Sequence, residues 1–173
     1  VSASSSSIIR VRVTTSGSSI NINLNGDYTI KEDSSATLPR GAYTISVSGS
    51  NVKIKGQGID KVIGKNLTFV RGANIGGDNN HLTIDTNTDR KSINYLGDIV
   101  FTVNGTSLRV INHIPLEQYL YGVVAYEMDN SWPLEALKVQ AVCARSYAYE
   151  AMSSSSSSST YDIVDTTSDQ VYK

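Results

Sequence analysis

The pattern of apolar residues changes after Asn112, and this change most limits what the chain can fold into. Before it, short runs such as Ile8 to Val13 and Ala42 to Val47 alternate apolar with polar residues or concentrate β-branched ones. Both features are typical of β-strands. After it, two longer segments repeat apolar residues at helical spacing. The sequence therefore predicts an α+β fold, with a β-rich region first and a second region that contains helices after it.

The second region is predicted to hold a packed pair of helices followed by the start of a further β segment. Pro115 precedes one helical segment and Pro133 the other, and proline is well tolerated in a first helical turn. Ser131 is expected to cap the second helix. Seven consecutive serines, Ser153 to Ser159, cannot pack a core, so we expect a mobile loop there. The segment Tyr161 to Lys173 has strand character and begins the further β segment.

Two Asn-Gly pairs, Asn25-Gly26 and Asn104-Gly105, lie between strand-like runs. This dipeptide favours two-residue hairpin turns, because both turn residues need a positive φ, which Asn and Gly tolerate. We therefore expect a hairpin at each position.

Charge and cysteine content argue against several classes of function. Fifteen Lys and Arg residues against sixteen Asp and Glu residues give a formal net charge of −1, which gives no electrostatic case for binding nucleic acid or an anionic membrane. No apolar run approaches the length that spans a membrane. Cys143 is the only cysteine, which excludes an internal disulfide and a zinc site built from cysteines.

A carboxylate interrupts the apolar face of the first predicted helix. At about 100° per residue, Leu120, Val123 and Glu127 project in nearly the same direction, so we expect Glu127 to face the protein. Burial favours the neutral form of a carboxyl group, and a carboxyl group that holds a proton near neutral pH suits general acid catalysis. The alternative interpretation is that Glu127 only caps a neighbour or pairs with a Lys or Arg.

The second predicted helix carries a narrow stripe of mostly small residues, suited to close helix packing: Leu137, Ala141, Ala144 and Ala148. Lys138 and Arg145, seven residues apart, lie together at the edge of this stripe. Two cations in this position suit an anionic or polar ligand. They also suit pairing with the ionised form of Glu127, which would oppose the effect of burial.

The segments "VINHIPLEQYLYGVVAYEM" and "SWPLEALKVQAVCARSYA" resemble the core of the stage II sporulation protein D family. The matching pattern is long and has no gaps, which makes it far more specific than a short loop motif. "YLGDIVF" before it and "DQVYK" after it also resemble the flanks of the family, so the resemblance covers about Ile93 to Lys173. It implies two domains, a β-rich N-terminal region over residues 1–92 and a core similar to the family over residues 93–173.

The resemblance implies a lytic transglycosylase, which cuts the glycan strands of peptidoglycan and prefers strands stripped of stem peptides. In the family the catalytic acid is the Glu of the Glu-Met pair, here Glu127, and the cleft includes a Lys and an Arg that match Lys138 and Arg145. We also expect Gln140, from the same motif, to contact the substrate. The implied location is outside the cytoplasm, with peptidoglycan strands and other cell-wall hydrolases as partners. A non-catalytic module that binds the wall or stimulates an amidase is the alternative.

Such an enzyme needs only one carboxylate. An ordinary glycosidase uses two, whereas a lytic transglycosylase uses the C6 hydroxyl of the sugar as nucleophile and forms a 1,6-anhydro end. The sequence places no second acidic residue on the stripe of Glu127, which fits this scheme.

Some relatives hold zinc through Cys and His before the "QVY" motif. The corresponding positions here are Val164, Ser168 and Asp169, so we expect no metal and no cofactor. His81 and His113 lack the spacing of metal ligands and are expected to be ordinary surface or strand residues.

Two residues depart from the pattern of the family. Asp129 follows Glu-Met where proline is usual, and we expect it to point to solvent or to cap the next helix. Cys143 replaces a small residue, and we expect a buried, unreactive thiol. Since the chain begins at Val1 and family domains continue past "QVY", we expect a piece of a longer protein that needs its continuation for full activity.

Overall fold

The computed structural model describes residues 7–72, 80–85, 92–129 and 131–173. In this part of the chain, eleven strands precede two helices, and one short strand follows them. This order confirms the predicted α+β fold. No helix among the described residues is long and apolar enough to cross a membrane.

The elements are numbered along the chain. Strands β1 to β11 cover Ile8–Gly17, Ser19–Leu24, Tyr28–Ile30, Gly41–Ser48, Asn51–Gly56, Ile59–Gly64, Asn66–Arg71, Leu82–Asp85, Ser92–Tyr95, Asp98–Asn104 and Ser107–Pro115. Helix α1 covers Leu116–Glu127, helix α2 covers Leu134–Ser154, and β12 covers Ile163–Val164.

The chain divides into two compact units. One unit is Thr15–Asn112, and the other combines the described residues up to Thr14 with His113–Lys173. The boundary predicted between residues 92 and 93 falls inside β9, whereas the chain divides into the two units after Thr14 and after Asn112. The first strand lies with the helices because β1 pairs in parallel with β12, where Val11 is opposite Ile163. Sequence order alone does not reveal a pairing of such distant segments.

Two sheets form the unit Thr15–Asn112. The strand order is β11-β10-β7-β3 in one sheet and β6-β5-β4-β2-β8-β9 in the other. Alternate residues point inward, as a period of two requires: Ile22 and Tyr43 are buried opposite each other on β2 and β4. Phe69 and Phe101 contact edge to face, with ring centroids 5.8 Å apart, in the same buried core.

The two Asn-Gly pairs differ in outcome. The hairpin predicted at Asn104-Gly105 is confirmed, since β10 and β11 are neighbours and Gly105 has a φ of 65°. The hairpin predicted at Asn25-Gly26 is wrong, because β2 pairs with β4 and β8 while β3 pairs with β7. Gly26 is required there for space: a Cβ would lie 1.8 Å from the Oδ1 atom of Asn80, which accepts a hydrogen bond from the Asp27 N–H group.

The two helices bury mostly one face each. The prolines occupy the N-cap positions, Pro115 before α1 and Pro133 before α2, and neither helix has a side-chain cap, so the cap predicted at Ser131 is wrong. Of the predicted small-residue stripe of α2, Ala144 and Ala148 are buried, whereas Leu137 and Ala141 are half-buried. The buried residues are Leu116, Tyr119, Leu120 and Val123 on α1, and Ala144 and Ala148 on α2.

The serine run is held in place, contrary to the expected mobile loop. Ser153 and Ser154 complete α2, and the rest of the run turns back toward β1. The Arg10 guanidinium donates to the Ser159 carbonyl oxygen at 2.6 Å and to Asp162 at 2.7 Å, and the Ser155 hydroxyl also donates to Asp162. The serine run is therefore held by hydrogen bonds to the ion pair of Arg10 and Asp162, of which the Asp162 side chain is buried, and not by packing in the core.

Candidate active site

Glu127 is the last residue of α1, and its side chain is exposed. The burial expected for Glu127 is wrong because the helix ends at this residue. Glu127 therefore lies at the edge of the buried face of α1, which includes Leu120 and Val123. The Val171 N–H group donates a hydrogen bond to the Oε1 atom of Glu127 at 3.3 Å. Glu127 therefore combines access to solvent with a contact to the C-terminal segment, residues 161–173.

The C-terminal segment packs against both helices through side chains that the sequence argument did not single out. Tyr172 is buried, and its ring lies 4.9 Å from the ring of Tyr119. Burial raises the pKa of the Tyr119 hydroxyl, which donates to the Oε1 atom of Gln170 at 3.1 Å. The "DQVYK" flank of the resemblance was the available signal for this segment.

Gly122 lets the segment approach α1. A Cβ atom at this position would lie 2.7 Å from the Tyr172 ring and 3.0 Å from the Lys173 carbonyl oxygen. A side chain at Gly122 therefore requires the C-terminal segment to move.

We expect Gly122→Ala to lower the free energy of unfolding by about 1 kcal/mol. In an open helix the same change stabilises by about 1 kcal/mol, but overpacking costs about 1–3 kcal/mol. Urea unfolding followed by helical circular dichroism checks this. In a Tyr172→Ala background the ring is gone, so Gly122→Ala should cost less there. An equal loss in both backgrounds would contradict the packing explanation.

Arg145 pairs with Glu117 rather than with Glu127. Its guanidinium donates two hydrogen bonds of 2.8 Å to the Glu117 carboxylate, and these bonds hold the pKa of Glu117 below its usual value. Glu117 lies in the first turn of α1, ten residues before Glu127, or about 15 Å along the helix axis. The ion pair thus ties the beginning of α1 to the middle of α2.

The other predicted substrate contacts lie on α2. The Lys138 ammonium group lies 2.8 Å from the Glu135 carboxylate, and both side chains are mostly exposed. Gln140 is half-buried. No hydrogen bond or ion pair among the described residues joins Lys138 or Arg145 to Glu127, so their roles in binding substrate stay predictions.

A groove of about 660 Å³ runs between α1 and α2. A volume of this size is typical of ligand sites. Glu127 is not among its lining residues, although the next two residues along the chain are. The groove lining comprises Glu117, Leu120, Tyr121, Val124, Ala125, Met128, Asp129, Leu137, Ala141 and Arg145.

The groove itself offers few groups for acid–base chemistry. The walls of the groove are mostly apolar, and two of its three charged residues, Glu117 and Arg145, are paired with each other. The third, Asp129, is exposed, and hydrogen bonding from Ser131 lowers its pKa. Asp129 thus contacts the loop before α2 and does not cap that helix.

The positions considered for zinc hold other contacts. Asp169 accepts hydrogen bonds from the Tyr147 hydroxyl and the Val164 N–H group, at 2.9 and 2.8 Å. Within residues 7–72, 80–85, 92–129 and 131–173, no three His, Cys, Asp or Glu side chains lie close enough to hold a metal ion. Cys143 is exposed, so its expected burial is wrong.

Comparisons with known proteins agree with the resemblance of the helical region. The sequence model of a family described as "Stage II sporulation protein" matches residues 104–173. An uncharacterized protein of Brachyspira hyodysenteriae is 39% identical over 80 residues, which cover 46% of this chain and 22% of that protein. No solved structure matches the chain.

Two further relatives carry a descriptive name. The stage II sporulation protein D of Bacillus amyloliquefaciens is 42% identical over 71 residues, 39% of this chain and 21% of that protein. That of Bacillus subtilis is 45% identical over 51 residues, 30% of this chain and 15% of that protein. The matched part spans about a fifth of the length of these curated relatives. The matched residues 104–173, which contain both helices and Glu127, are similar to the stage II sporulation protein D family.

Proposed function

We propose that this protein is a lytic transglycosylase that cleaves the glycan strands of peptidoglycan, mainly strands without stem peptides, outside the cytoplasm. The observation that carries the proposal is the position of Glu127: an exposed carboxylate at the end of α1, beside the α1–α2 groove. The Val171 N–H group donates to the Oε1 atom of Glu127. None of the described residues hydrogen-bonds to the Oε2 atom, so Oε2 is open to a ligand.

One carboxylate suffices for the proposed reaction. Protonated Glu127 donates its proton to the glycosidic oxygen as the bond from that oxygen to C1 breaks. The carboxylate then accepts the proton of the C6 hydroxyl, whose oxygen attacks C1 and closes the 1,6-anhydro ring. The proton returns to Glu127, and no water is consumed.

The proposed roles of Lys138, Arg145 and Gln140 are to bind the strand. The two cations already bind carboxylates, at Glu135 and Glu117. Both pairs are largely exposed, and exposed pairs contribute little stability, so a polar ligand can displace them at small cost.

One observation favours the alternative, a non-catalytic module that binds the wall or stimulates an amidase. Lys138 and Arg145 make ion pairs with Glu135 and Glu117, so neither of these two cations is paired with the proposed acid. Such a module would bind strands without cutting them, or would raise the rate of an added wall amidase.

Mass analysis of cleaved strands tests the proposal against this alternative. The protein is incubated with denuded strands and, separately, with strands that keep their stem peptides. We expect anhydro-muramic ends, mainly from the denuded strands. Binding without any new ends would contradict the proposal.

A chelator is expected to leave both the melting temperature and the cleavage rate unchanged, because the described residues offer no metal-binding set. The check is thermal unfolding and strand cleavage with and without EDTA. A loss that added zinc restores would overturn the argument from Val164, Ser168 and Asp169.

A further inference from the structure

We propose that Gln170 is a positioning residue: held by both helices, it fixes the Val171 N–H group against Glu127 and thereby decides which carboxylate oxygen delivers the proton. The inference rests on the proposed function, because it concerns the same acid. It adds a residue and a role that the motif around Glu127 does not contain.

The side chain of Gln170 bridges α1 and α2. Its Oε1 atom accepts from the Tyr119 hydroxyl at 3.1 Å, and its Nε2 group donates to the Ala144 carbonyl oxygen at 3.3 Å. Tyr119 and Ala144 are buried, so both partners belong to the fixed part of the helix pair. A single amide therefore ties the segment to both helices at once.

The residues on either side of Val171 are thus both anchored. Gln170 is held by its two hydrogen bonds. Tyr172 is buried against the ring of Tyr119, in space that a Cβ atom at Gly122 would enter. Since each neighbour is fixed, the backbone N–H group of Val171 has little freedom to turn away from Glu127. The contact of 3.3 Å is long, as catalytic hydrogen bonds often are before substrate is bound.

The hydrogen bond makes the two oxygens of Glu127 different. An N–H group donates to an oxygen that has no proton, so Oε1 is the acceptor and the acidic proton belongs on Oε2. Without the Val171 contact, the exposed side chain can rotate and present either oxygen. Because proton transfer depends on position, loss of this restraint is expected to slow the chemical step rather than weaken strand binding.

Nuclear magnetic resonance tests the contact on the 173-residue chain without any assay of activity. In the wild type, the Val171 amide resonance should shift with pH as Glu127 ionises, and Glu127→Gln should remove that shift. Gln170→Met keeps the length of the side chain but loses both hydrogen bonds, so the shift should fall by at least about half. Ser168→Ala, two residues away in the same segment, is the control. A full shift in Gln170→Met, with the other amide resonances of the helices unchanged, would overturn the inference.

Strand cleavage tests the consequence for catalysis. Gln170→Met should lower kcat about tenfold or more and leave KM unchanged, since misplaced catalytic groups lose rate rather than binding. Tyr119→Phe, which removes one of the two hydrogen bonds, should lower kcat less. A wild type that forms no anhydro ends would overturn the proposed function and the catalytic consequence together. Wild-type cleavage with an unchanged kcat in Gln170→Met would overturn the positioning role alone.

Discussion

Glu127→Gln is expected to lower the rate of strand cleavage about a thousandfold while the fold and strand binding persist. The amide has nearly the shape of the acid, so packing is unchanged, and Oε1 can still accept from the Val171 N–H group. The amide cannot donate a proton to a leaving oxygen, and general acid–base groups contribute about a hundred- to ten-thousandfold to rate. Cleavage rates and strand affinities of the two proteins give the result.

Glu150→Gln is the matched control, since it makes the same chemical change at an exposed position on α2. It should leave cleavage at the wild-type rate. Equal rates for Glu127→Gln and the wild type would remove Glu127 from the mechanism, whereas equal losses in both variants would point to a general effect of charge.

Asp162→Ala is expected to lower the free energy of unfolding by about 3 kcal/mol, more than Gly122→Ala or Glu135→Ala. The Asp162 side chain is 4% exposed, and Arg10, its partner, is 28% exposed. Removing one member of a buried ion pair strands the other and costs about 3–5 kcal/mol, and the partial exposure of Arg10 places this pair at the low end. The serine run, β1 and the C-terminal segment lose their common anchor in this variant.

The loss should also depend on pH. Burial raises the pKa of Asp162, but hydrogen bonds from Arg10 and Ser155 together outweigh it and leave the pKa lowered. The contribution of a lowered carboxyl pKa is complete above the unfolded value of about 4 and disappears as the pH falls through the folded value. The difference between wild type and Asp162→Ala should therefore shrink in acid.

Urea unfolding followed by helical circular dichroism measures both effects. Glu135→Ala, which breaks the exposed pair with Lys138, is the control and should cost less than about 1 kcal/mol. Similar losses in the two variants at neutral pH would contradict the anchoring role of Asp162.

Local patterns predicted the elements well. The change of period after Asn112, the proline before each helix and the alanine stripe of α2 all have structural counterparts. These features depend on residues that are close in sequence, so local patterns are enough to predict them.

Two of the errors arise where distant segments meet, and the error at Glu127 arises where a helix ends. The serine run is ordered by Arg10, which lies about 150 residues away along the chain. The turn at Gly26 is shaped by Asn80, and Glu127 is exposed because α1 ends there. The periodicity of a helix gives the direction of a side chain, but it does not show where the packed face stops. No local pattern indicates the role of Gln170, because its hydrogen-bond partners lie on both helices, distant from it in sequence.

Cleavage in heavy-oxygen water tests the central claim most directly. A lytic transglycosylase closes its product with the C6 hydroxyl of the sugar, so no solvent oxygen enters the new end. We predict that wild-type protein releases anhydro-muramic ends without heavy oxygen. New reducing ends that carry heavy oxygen would show hydrolysis by water and would contradict the assignment of Glu127 as the single carboxylate of a transglycosylase.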